Sequence, residues 1–196
     1  MTEINQIPKR DLLFWSGGKD AFLALRYYKD EYKTDPLLIT TYDDESRLVP
    51  HQQIPIERIR RQAAALSLIH FAVPISYPAD NDTYLNALKN AFQAIPYQIE
   101  RLIFGDLHLK DIRKWREEQF HALGYNTAFP IWAKSVDELI DRLEKEPVTI
   151  RVSAVMQSCR EHIAPGDLYN RDYAYSLPDH IDPMGENGEF HTEVVF

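Results

Sequence analysis

The sequence predicts an α/β fold in which a parallel sheet is covered by helices on both faces. Three observations point there. Five short β-type runs alternate with helix-period segments, a glycine-rich turn joins the first run to the first helix, and the alternation stops near Pro130. Strands linked through helices run parallel, and helices on both faces bury the sheet.

Leu12 to Trp15 is the first strand, and Ala21, Leu25, Tyr28 and Tyr32 then fall on one helical face. Pro36 separates that helix from a second strand, Leu37 to Tyr42. A polar loop follows, then a helix near Ile56 to Leu68 with Ile56, Ile59, Ala63 and Leu66 inward. Phe71 to Ile75 is the third strand, and the next helix carries Leu85, Leu88, Phe92 and Ile95. Leu102 to Phe104 is the fourth strand, ending in Gly105-Asp106, and a charged helix spans about Asp111 to Leu123. A fifth short strand precedes Pro130. Beyond it come one helix near Val136 to Leu143, a β-rich stretch from Val148 to Val155, and loops rich in Gly, Pro, Asp and Tyr. The boundary divides the chain into a nucleotide-binding part, residues 1–130, and a small C-terminal α+β lobe, residues 131–196, suited to hold a substrate.

The 196 residues suffice for one compact domain with a small appended lobe. A 44% hydrophobic fraction with 12% aromatics excludes a disordered chain. The formal net charge of −8 repels nucleic acid and anionic membranes, so neither is expected as a partner. A single cysteine, Cys159, rules out an internal disulfide or a Cys-pair metal site and reads as a packing residue. The N-terminal MTEINQIPKR lacks a leader-like apolar run, and no apolar run is long enough to span a bilayer. A cytoplasmic protein is expected. The seven histidines are dispersed, which argues against a dedicated zinc site.

The strongest local signal is Ser16-Gly17-Gly18-Lys19-Asp20, which follows a strand and opens a helix. Paired glycines let backbone N–H groups converge on an anion, the helix N-terminus adds positive dipole, and Lys19 is expected as an exposed charge beside it. The spacing is not that of a Walker A loop. Gly105-Asp106 lies at the carboxyl end of the fourth strand, the edge where open α/β sheets bind ligands. Asp106 suits Mg²⁺, and Arg113 suits phosphate or a negative intermediate. The competing reading of the Lys110, Arg113 and Arg116 charges is a solvated helix with i,i+4 pairs such as Arg113 with Glu117, and it is preferred for all but Arg113. A third segment, Ile181 to Thr192, packs Gly185, Glu186, Asn187, Gly188, Glu189 and His191 into a tight loop dense with hydrogen-bonding groups. Its competitor is a plain turn into a C-terminal strand.

SGGKD resembles the PP-loop of the adenine nucleotide alpha hydrolase-like ATP pyrophosphatases, which grips the leaving pyrophosphate. Ala21 stands where that pattern usually has Ser or Thr. Joined to the terminal GENGEFHT, to Val49-Pro50-His51 with Gln62-Ala63-Ala64-Ala65-Leu66, and to Phe104-Gly105-Asp106 with Arg113 and Trp115, it makes the chain resemble the diphthine–ammonia ligase family. Met184 stands where many members have Cys. The resemblance implies a Rossmann-like fold, with ATP and Mg²⁺ held by Ser16, Gly17, Gly18, Lys19, Asp20, Gly105 and Asp106. It places the substrate at His51, Gly185, Glu186, Asn187, Gly188, Glu189 and His191, and catalysis on Lys19, Asp106, Arg113, Glu186, Glu189 and His191. The implied reaction is adenylation of a carbonyl or carboxylate, releasing pyrophosphate, then amidation by ammonia or another amine. Diphthine on elongation factor 2 is the family's namesake substrate. A nucleotide sensor without turnover is the alternative from another class, and a PP-loop enzyme of tRNA modification is a third, disfavoured by the acidic charge balance.

Overall fold

The computed structural model describes residues 7–196. Residues 1–6, part of the segment read as lacking a leader-like run, lie outside the described residues. Five parallel strands form the central sheet: β1 (Lys9–Phe14), β2 (Leu37–Asp43), β5 (His70–Ile75), β6 (Gln98–Ile103) and β7 (Asn126–Ala128). Their order is β5-β2-β1-β6-β7, so the chain winds outward from β1 in one direction and then in the other. This is the Rossmann-like doubly wound arrangement.

Period-two alternation along the strands sorts the core into two layers. Leu13, Leu38 and Ile103 face one side with α1 (Lys19–Tyr32) and α2 (Ile56–Ala65). Leu12, Leu37, Ile39, Leu102 and Phe104 face the other, with α3 (Asn81–Ala94) and α4 (Lys110–Ala122). Each fully buried leucine contributes about 1.5–3 kcal/mol by the apolar surface it removes from water. The expected inward faces form, with Ala21, Leu25 and Tyr28 of α1 and Ile56, Ile59 and Ala63 of α2 all buried. Tyr32 is the exception: at the C-terminal end of α1 it is 39% exposed and stacks on Tyr28 at 4.9 Å.

The polar loop after β2 holds a small antiparallel hairpin, β3 (Leu48–Val49) with β4 (Ile54–Pro55), which the sequence pattern did not show. After Pro130 come α5 (Val136–Glu144), capped by Ser135, then β8 (Thr149–Val155), a short α6 (Arg171–Ser176) and β9 (Phe190–Val195). β8 and β9 pair antiparallel. Leu139, Ile140, Ile150, Phe190 and Val194 share one continuous core with α1 and α2. The C-terminal segment therefore packs on the α1 side of the sheet. No helix among the described residues is long and apolar enough to cross a membrane.

Candidate functional site

Strand order reverses between β1 and β6, and the loops leaving their carboxyl ends diverge there into a cleft of ≈ 820 Å³. Ser16, Gly18 and Asp20 line it from the β1 side, and Gly105, Asp106 and Arg116 from the β6 side. The C-terminal loop closes it with Gly185, Glu186, Asn187, Gly188, His191 and Thr192, and the β3–β4 turn adds His51. Of the residues expected at the site, Gly17, Lys19, Arg113 and Glu189 do not line the cleft.

The turn has the geometry its glycines predict. Gly17 sits at φ +81°, a left-handed conformation costly for any side chain, and a Cβ there would lie 2.4 Å from the Ile59 side chain. Gly18 is the N-cap of α1 and offers no side chain. Thr192 of β9 supplies the cap instead, its Oγ1 accepting from Lys19 N at 3.1 Å. Ser16 Oγ accepts from Gly18 N at 3.3 Å. Gly105 is needed for close approach: a Cβ would meet the Asp20 carbonyl carbon and oxygen at 2.8 Å. The first turn of α1, whose N–H groups have no intrahelical acceptor, thus presses against the end of β6 at the cleft floor.

Lys19 departs from expectation. Rather than an exposed charge it is 2% exposed, with its ammonium 2.9 Å from both Asp20 carboxylate oxygens and donating to the Met184 carbonyl. It also lies 5.7 Å from the ring centres of Tyr169 and Phe190. The helix start turns the Lys19 side chain toward the C-terminal segment, where two aromatic faces and a carbonyl, all distant in sequence, replace water.

Arg116 is the cation the cleft does hold. Its Nε stands 2.8 Å from Asp106 Oδ2 and its Nη2 3.3 Å from Oδ1, while its guanidinium covers the Phe104 ring at 4.4 Å. Burial pushes the Asp106 carboxyl above its ordinary range; Arg116 opposes the rise and the Asp20 charge adds to it. Arg113 instead pairs with Glu117 at 2.8 Å and stacks on Phe129 and Trp132. The i,i+4 pair anticipated for this helix is thus present, and the cleft-facing arginine is one turn along.

The two glutamates of the C-terminal loop have different surroundings. Glu189 is 7% exposed and accepts from Asp182 N at 3.0 Å, Asn187 N at 3.0 Å and Asn187 Nδ2 at 3.1 Å. Burial pushes its carboxyl up, but these donors outweigh burial and hold it below the usual glutamate range. Glu186 lines the cleft and accepts from Leu107 N at 2.9 Å, latching the loop to the β6 exit. Burial raises its carboxyl, with the Asp20 charge contributing. The His191 and His51 rings are 5.8 Å apart, and burial, then the His51 and Lys19 charges, lower the His191 pKa to about 4. At neutral pH His191 is an uncharged imidazole.

Sequence reasoning gave no site role to three residues here. Arg116 carried a signal, the i+10 spacing from Asp106 across a turn and a helix start, but only the fold shows which helix face meets the strand end. Thr192 caps a helix 173 positions away in sequence, a relation no local pattern contains. Gln62 interrupts the apolar face of α2 and is 5% exposed, so its place in that face was the visible clue.

No family model and no curated protein matches the chain. Among solved structures it is similar to a predicted subunit of tRNA methyltransferase from Methanocaldococcus jannaschii, at 15% identity over 94% of this chain and 95% of that one, with a TM-score of 0.47.

Proposed function

We propose that the chain binds ATP in this cleft and uses it to adenylate a carboxylate, which an amine then converts to an amide. The observation that carries the nucleotide is the meeting, at one sheet edge, of the Ser16-Gly17-Gly18 turn, the N-terminus of α1 and the side-chain-free approach of Gly105. Attack at the α-phosphate is supported by the resemblance of SGGKD to pyrophosphate-gripping turns. In the reaction a carboxylate oxygen bonds to the α-phosphorus, the bond to the bridging oxygen breaks, and pyrophosphate leaves. The amine then attacks the activated carbonyl, AMP leaves, and the amine proton passes to solvent or a neutral base. In its finer form the carboxylate is diphthine on elongation factor 2 and the amine is ammonia.

Mg²⁺ fits the donors present. The Asp106 carboxyl is raised by burial despite its Arg116 partner, with the Asp20 charge adding to the rise, and a divalent cation held by these carboxylates would relieve that repulsion. Among the described residues no three His, Cys, Asp or Glu side chains form a ready cage. Mg²⁺ needs only one or two carboxylates when phosphates and water complete its shell. Asp20 and Asp106 would hold it, and when bound it would supply charge neutralisation on the departing phosphates. The turn backbone and helix dipole orient the phosphates, Arg116 adds positive charge at the β6 side, and neutral His191 offers a hydrogen-bonding nitrogen to the incoming amine.

One observation favours a second reading, nucleotide binding without turnover: the Lys19 ammonium is committed to Asp20 and Met184 and is turned from the cleft. Incubation with α-labelled ATP, Mg²⁺, ammonia and candidate carboxylates separates the two. AMP and pyrophosphate in equal amounts support the ligase; ATP bound but unchanged supports the sensor; ADP as the main product overturns attack at the α-phosphate.

A further inference from the structure

The glutamine of the Gln62-Ala63-Ala64-Ala65-Leu66 segment is not used by the reading above, yet its amide joins three separate parts of the chain. Its Oε1 accepts from Trp15 Nε1 at 3.0 Å, and its Nε2 donates to Gly17 O at 3.1 Å and to Val194 O at 2.7 Å. The orientation follows from chemistry: with the amide reversed, an N–H pair would face the indole N–H and an oxygen would face two carbonyls. A buried amide costs free energy unless its donors and acceptor are used, and here both hydrogens and the oxygen are. Beside it, Val194 N donates to the same Gly17 oxygen at 2.9 Å. Gln62 and Ile59 also fill the space over Gly17 that a side chain would need. One amide thus spans the end of β1, the glycine turn and β9.

We infer that Gln62 is a positioning residue that sets the register of the glycine turn against β9, and thereby the backbone that faces phosphate. The catalytic consequence rests on the nucleotide reading above; the register does not. Bonds to Gly17 O restrain the left-handed residue of the turn, and the bond to Val194 O holds the strand whose Thr192 caps α1. Loss of the amide frees both ends of this arrangement together, without removing any atom from the cleft lining, of which Gln62 is not part.

The test combines amide hydrogen exchange with ATP titration on the full chain, comparing Gln62→Met with Trp15→Phe. Gln62→Met keeps side-chain length and loses all three bonds; Trp15→Phe loses only the indole bond. In Gln62→Met the Val194 and Lys19 amides are expected to exchange about tenfold faster, and ATP affinity to fall about tenfold, the scale of losing two hydrogen bonds. The Leu38 and Phe104 amides, bonded to Ile69 O and Ala128 O within the sheet, remain protected. Trp15→Phe speeds exchange at Val194 and Lys19 by no more than about threefold, the effect of one neutral bond; because the Trp15 ring lines the cleft, only its exchange rates enter the comparison. Gln62→Leu, which loses all three bonds with a smaller apolar side chain, carries the same test should Gln62→Met fail to fold. Unchanged exchange at Val194 and Lys19 overturns the register. Faster exchange with native ATP affinity overturns the positioning role, as does equally fast exchange at Val194 and Lys19 in Trp15→Phe. A native chain that binds no ATP overturns the nucleotide reading, while the exchange arm still decides whether Gln62 holds the turn.

Discussion

The Lys19 ammonium lies 2.9 Å from both carboxylate oxygens of Asp20, yet Asp20 lines the cleft and Lys19 does not. Adjacent residues of one turn thus serve opposite sides of it. Lys19 ties α1 to the C-terminal loop through the Met184 carbonyl and leaves Asp20 partly neutralised at the cleft wall.

Lys19→Met is therefore expected to lower stability, by about 2–3 kcal/mol, the range for breaking a buried ion pair discounted for the one-third exposure of Asp20. Urea unfolding measures this, and limited proteolysis should cut the 182–189 loop faster. A native unfolding midpoint with lost ATP affinity would instead give Lys19 the phosphate role its sequence position suggests.

Gly105→Ala tests the close approach of β6 and α1. The added methyl would lie 2.8 Å from Asp20 backbone atoms and 3.0 Å from Ala21 N, and backbone cannot rotate aside as a long side chain can. Movement of the α1 N-terminus should cost about 1–3 kcal/mol of stability and weaken ATP binding more than about tenfold. Calorimetric titration at a temperature where the variant is folded checks the second part; native affinity would remove this helix terminus from the phosphate site.

The sheet, its order of elements and the two loops that meet at the cleft were legible because each rests on local signals: period-two strands, period-3.6 helices, and glycines at strand exits. Side-chain direction was not. Whether Arg113 or Arg116 meets Asp106 depends on the phase of α4 against β6, and whether Lys19 faces solvent depends on Tyr169 and Phe190, about 150 residues or more away along the chain. The β3–β4 hairpin was missed because two-residue strands carry no periodicity.

Acid should unfold the protein through two histidines. Burial, with the nearby Arg60 charge, lowers the His70 pKa to about 4, and His191 also lies at about 4, against 6.5 for both in the unfolded chain. Because the unfolded chain takes up these protons first, their contribution to stability is full above about pH 6.5 and is lost as pH falls toward 4. The expected loss is about 2–3 kcal/mol per histidine after allowing for partial exposure. Urea midpoints across that window should fall steadily, and His70→Asn should flatten the slope by about half. A midpoint independent of pH over the window would contradict the burial of both rings.

Glu186 and Glu189 should separate where sequence alone treats them together. The Glu189 carboxylate takes its hydrogen bonds from Asp182 and Asn187 inside the loop, so Glu189→Ala leaves buried N–H groups unpaired and should destabilise the 182–189 loop by about 1–3 kcal/mol. Glu186 instead faces the cleft with a carboxyl raised by burial and by the Asp20 charge. Glu186→Gln keeps an acceptor for Leu107 N while removing one negative charge, so the fold should hold. The charge matters differently for the two cleft ligands: near a triphosphate without metal, its removal relieves repulsion and strengthens ATP binding, whereas with Mg²⁺ present it removes a favourable partner. Titrations of Glu186→Gln with ATP in chelator and in Mg²⁺ should therefore shift in opposite directions, each by a few-fold. Parallel shifts would place Glu186 away from both phosphate and metal, and native-like exchange protection in the Glu189→Ala loop would return that carboxylate to the substrate side of the site.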